Sequence, residues 1–113
     1  MTDVRTETAD TFRGIAAGEP TVLEGLLGAR GENLQDSGLD GRAHALVRVA
    51  ALIALDAPSA SYASEVSAAL AAGATPEDVL GVLIAVAPQV GMPRAVAAAH
   101  DLMPALGLVA ANP

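Results

Sequence analysis

Apolar residues recur along this chain at intervals of three and four, and no stretch sustains an alternation of period two, so the pattern predicts helices and no strand. Residues 8–17 and 20–27 each read as a short helix, separated by Gly18 and closed by Gly28, with Pro20 as a first-turn proline. Residues 31–38, with the turn formers Asn33, Asp36 and Ser37, read as a loop. The next helix runs from Asp40 or Gly41 to Leu55. Its polar residues Asp40, His44 and Arg48 stand at i, i+4 and i+8, so they form one narrow stripe while every other face is apolar.

Ala57-Pro58-Ser59 breaks the chain, and a helix over 58–72 follows, stopped by Gly73 at the C-cap position. Thr75-Pro76-Glu77-Asp78 is a start signal that combines an N-cap threonine, a first-turn proline and two acids facing the helix dipole. The helix it opens, over 76–87, is apolar nearly all round and must be central. Residues 88–93, bounded by two prolines, form the next break, and a last helix spans 93–106 before Gly107. The expected architecture is therefore all-α, a small bundle of five to six helices. Amphipathic helices and a loop occupy 1–38 and a helical core occupies 39–113, within one domain overall.

The core is built from small pieces. Hydrophobic residues make up 52% of the chain but aromatics only 2%, and tryptophan is absent, so the apolar surface is mostly Ala, Val and Leu. Small side chains bury little area each, and at about 25 cal/mol per Å² a lone alanine-rich domain of this size is marginal. Burial of further helix faces in a homo-oligomer is the expected remedy.

Charge narrows the partners. The net charge is −7, with thirteen acids against six arginines and no lysine, so no basic patch exists to hold nucleic acid or an anionic membrane. The longest apolar stretches, 49–55 and 79–87, fall well short of the ~20 residues that span a bilayer. The N-terminal Met1-Thr2-Asp3-Val4-Arg5-Thr6-Glu7 lacks the basic and apolar regions of a signal peptide, so a cytoplasmic location is expected. Without lysine there is no Schiff-base chemistry, and without cysteine there is no disulfide, thiolate nucleophile or thiolate metal site. His44 and His100 show no metal-binding spacing, so neither a metal nor a cofactor is expected.

Between Ala57 and Pro76 the only ionisable side chains are Tyr62 and Glu65. Ser61 and Tyr62 lie four and three residues before Glu65, so both can share its helix face and hydrogen-bond its carboxylate. Desolvation raises the pKa of a partly buried carboxylate, which suits a general acid or base, so Glu65 is the candidate catalytic residue. The competing reading is that Glu65 points at water. His44 and Arg48 on their stripe suit an anionic substrate, with Arg48 as a carboxylate clamp; alternatively Arg48 pairs with Asp40 or Asp56. Gln89, between two prolines, is a candidate pocket-lining residue, although its loop position alone also explains it.

Residues 42–54 (RAHALVRVAALIA), 64–73 (SEVSAALAAG), 75–86 (TPEDVLGVLIAV) and the Gly91-Met92-Pro93 break resemble the carboxymuconolactone decarboxylase-like family, which also includes the alkylhydroperoxidase D proteins. The resemblance spans about 39–106. It implies an alkylhydroperoxidase D-like helical fold whose central helix pair builds a dimer, trimer or hexamer, with sites near subunit interfaces. Peroxidase members carry CxxC and then, four residues on, a histidine; the matching positions here are Pro58, Ser61 and Glu65, which excludes thiol peroxidase activity. Decarboxylase members keep the histidine at the position of Glu65, and many members have a glutamate where this chain has Ala45.

Two readings follow from those departures. In one, Glu65 replaces the histidine in a cofactor-free decarboxylase or isomerase acting on a small carboxylic acid or lactone, with Arg48 or His44 holding a substrate carboxylate and Ser61, Tyr62 and Gln89 around it. In the other, the chain is a non-catalytic ligand-binding or structural oligomer on the same scaffold.

Overall fold

The computed structural model describes residues 4–26 and 28–108, and these hold seven helices and no strand. In chain order they are α1 (Thr6–Ala16), α2 (Pro20–Leu26), α3 (Arg30–Ser37), α4 (Gly41–Leu55), α5 (Ser59–Ala71), α6 (Pro76–Val90) and α7 (Met92–Ala105). The helices fall into two units, Met1–Gly38 and Leu39–Pro113.

In the first unit α1 and α2 meet at the buried Gly14, where a Cβ would stand 2.9 Å from Val22 Cγ2 and the close approach needs glycine. The helix expected over 20–27 is α2; its final residue, Leu27, lies outside the described residues. The loop expected over 31–38 is instead the helix α3. Of its turn-forming residues Asp36 and Ser37 stand in the last turn and Asn33 in the middle, Glu32 sits in the first turn facing the dipole, and Gly38 closes it in the left-handed conformation at φ 71°. Residues that end a helix thus carry the same local signal as a loop.

In the second unit α4 packs on α5 and α6, and both of these pack on α7. Val49 and Ile53 of α4, Tyr62 and Val66 of α5, Val79 of α6, and Ala98 and Leu102 of α7 form its buried centre. A smaller contact joins Ala45 of α4, Ala69 of α5 and Ala74, where only methyl groups separate the chains. Asp40 caps α4 by accepting from the Ala43 N–H at 2.8 Å.

The break expected at 88–93 shrinks to Gly91 alone, because α6 continues through Pro88 to Val90. Proline removes one helical N–H and crowds the preceding turn. Here the carbonyl that loses its donor belongs to Ile84, whose residue is 63% exposed, so water can replace the bond. Among the described residues no helix is long and apolar enough to cross a membrane.

Candidate functional site

Tyr62, Val66 and Ala69 turn α5 inward, and Glu65 stands three residues after the first and four before the last. This register leaves the Glu65 side chain beside the buried stripe rather than opposite it, with 13% of its surface exposed. On α4, His44 and Arg48 are one turn apart, and His44 is buried at 5%. Where α4 crosses α5, Arg48 meets Glu65 with both prongs of its guanidinium. Nε donates to Oε2 at 3.1 Å and Nη2 donates to Oε1 at 3.0 Å.

The hydrogen bond to Glu65 pushes the Arg48 pKa up, against a smaller opposing effect of burial. A guanidinium held in plane by two parallel bonds to a carboxylate is a charge-assisted, orientation-specific contact. Arg48 thus pairs with neither Asp40, which caps α4, nor Asp56, which ends it. The two residues singled out for acid–base work and carboxylate binding engage each other.

Other expected members of the site lie elsewhere. Among the described residues no hydrogen bond joins Ser61 or Tyr62 to Glu65. Ser61 is half-buried in the first turn of α5, where its N–H donates to the Pro58 carbonyl at 3.0 Å. Tyr62 is wholly buried, and its phenol pKa is raised by desolvation first and by the negative charges of Asp101 and Asp56 second. Gln89 is exposed on the last turn of α6 and does not line the apolar cavity along α6 and α7.

Sequence reasoning missed three polar contacts. Ser59 Oγ bonds Asp101 Oδ1 at 2.5 Å, tying the start of α5 to α7. Arg94 Nη1 donates to the Ala54 carbonyl at 3.3 Å. Arg42 grips Asp78 through Nη2 to Oδ1 at 2.7 Å and Nε to Oδ2 at 3.2 Å, fastening the start of α4 to the start of α6. Partners 36 to 42 residues apart carry no local spacing signal. Among the described residues no group of three His, Cys, Asp or Glu is placed to hold a metal ion. A 330 Å³ apolar cavity lies along α6 and α7, and Glu65 is not in its wall.

The Carboxymuconolactone decarboxylase family model matches residues 20–100, a span that contains α4, α5, α6 and both members of the ion pair. No curated protein and no solved structure matches the chain.

Proposed function

Because the chain belongs to the carboxymuconolactone decarboxylase family and has its alkylhydroperoxidase D-like helical fold, we propose that it is a cofactor-free proton-transfer enzyme, a decarboxylase or isomerase, acting on a small carboxylic acid or lactone. The observation that carries this reading is the two-pronged Arg48–Glu65 pair, drawn from two helices and only partly open to water. A substrate carboxylate offers the guanidinium the same two oxygens that Glu65 offers. It can therefore take the fork of Arg48 and release Glu65, all within one half-buried site.

A carboxylate that loses its cation in a dry site is a stronger base. In an isomerisation, the freed Glu65 takes a proton from a substrate carbon and returns it to another. In a decarboxylation, the freed Glu65 takes up a proton from water and passes it to the carbon that carbon dioxide leaves, so each turnover consumes one proton. His44, one turn along the same stripe, would help hold the substrate anion.

The test is a turnover screen of small lactones and carboxylic acids with three proteins. The parent should turn over at least one member of the panel. Glu65→Gln should lose at least ~100-fold in kcat, the scale of a general acid–base group. Arg48→Met should mainly raise KM. Turnover indifferent to Glu65→Gln would sink the enzymatic reading. Saturable binding with no turnover would leave the ion pair as the structural tie of a ligand-binding oligomer, a role its mutual satisfaction also suits.

A further inference from the structure

The half-open cavity along α6 and α7 has a volume of about 330 Å³, within the range of ~300–1,000 Å³ typical of small-molecule sites. Val79 and Leu102, both buried, form its floor, while Leu83 and Leu80 of α6 face Ala99 and Met103 of α7 across it. Gly107, at φ 77°, lets α7 end in a Schellman turn in which the Leu108 N–H reaches back to the Met103 carbonyl at 2.7 Å. That turn sets Leu108 at the cavity's edge as part of the regular helix ending.

The lining holds one ionisable group, Glu77. Its neighbour Asp78 is occupied by Arg42 and by the Thr75 N–H, whereas among the described residues no arginine pairs with Glu77. A hydrocarbon-lined pocket with a single carboxylate at its edge, on a chain of net charge −7, disfavours anionic amphiphiles and complements a cation.

We propose that this cavity is a binding site for a compact apolar molecule with a cationic head. The hydrocarbon body lies on Val79, Leu83 and Leu102, and the ammonium lies at Glu77. The site shares no lining residue with the Arg48–Glu65 pair, so it stands or falls independently of the proposed activity.

Two probes of equal shape and opposite charge test it, 1-aminoadamantane and adamantane-1-carboxylate, titrated by methyl NMR into the full chain at about 0.15 M salt, where distant charges are screened. The amine should shift the methyls of Val79, Leu83, Leu102 and Met103 saturably, and should bind about three- to tenfold tighter than the carboxylate. Glu77→Gln, an exposed change that leaves the fold intact, should bring that ratio to about one. Ala99→Trp, which fills the cavity, should weaken the amine at least tenfold. Equal affinity for the two probes in the parent would overturn the proposal, as would shifts confined to other residues. So would failure of the amine to bind because a second copy of the chain covers the cavity.

Discussion

Tyr62 is the chain's only tyrosine, so its ionisation is an optical report on the core of the second unit. Burial first, and the nearby charges of Asp101 and Asp56 second, hold its pKa above the ordinary 10.0. The unfolded phenol loses its proton before the folded one. Stability that depends on neutral Tyr62 is therefore complete below pH 10.0 and is lost as pH rises towards the folded value. Tyrosinate absorbance of the native protein should appear only above pH 10.0 and together with unfolding, whereas in urea it should appear at about 10. Tyr62→Phe should remove this alkaline loss; a native tyrosine that titrates like a free one would contradict the burial. The same residue shows where sequence reasoning stopped. Spacing along a helix tells which residues are neighbours but not which side faces the core, so Tyr62 was expected beside Glu65 and instead belongs to the inward stripe with Val66 and Ala69. Glu65 stood out because its helix carries no other acid, and Arg48 because it continues the stripe of His44. Their pairing depends on how α4 crosses α5, which no local pattern encodes.

The start of α6 is the element most fully written into the sequence. Thr75 Oγ1 accepts from the Asp78 N–H at 3.1 Å and the Asp78 carboxylate accepts from the Thr75 N–H at 2.9 Å, a reciprocal capping box. Thr75→Ala leaves the Asp78 N–H without that acceptor and should cost about 1 kcal/mol in urea denaturation, with an unchanged m-value. Asp78 adds a pH dependence. The hydrogen bond from Arg42 first, and that from the Thr75 N–H second, hold its pKa below the ordinary 3.8. Its stabilising effect is thus present above pH 3.8 and disappears as pH falls through the lowered folded value. Asp78→Asn should flatten the acid limb of the stability profile, and an unchanged limb would show that the pair contributes nothing. The capping box was legible because its signal lies within four residues. Helix α3 and the last turn of α6 were not, because glycine, asparagine and proline mark a helix end as readily as a loop. Only tertiary context decides between them, as the exposure of Ile84 does at Pro88.

At the scale of the molecule, the composition that makes close-packed helices also leaves apolar surface over. From Val79 to Pro88 helix α6 carries no polar side chain, and Ile84, which does not line the cavity, remains 63% exposed. On α7, Met92 and Val96, four residues apart and also outside the cavity lining, are uncovered as well. Apolar stripes of this kind mark surfaces that meet other surfaces. A net charge of −7 opposes non-specific association, so contact between copies has to be made by a complementary apolar face rather than by general stickiness. Ile84→Asp separates the alternatives. On a monomer it is an exposed change worth no more than ~0.5 kcal/mol, because the side chain already meets water. At the centre of a self-association face it buries a carboxylate from each copy among apolar side chains, a desolvation cost that opposes association. The parent should sediment as a homo-oligomer at micromolar concentration, and Ile84→Asp should sediment as a smaller species with undiminished helical circular dichroism. A parent that sediments as a monomer would mean that the small alanine-rich core suffices alone, and the uncovered stripe on α6 would then be simple exposed surface.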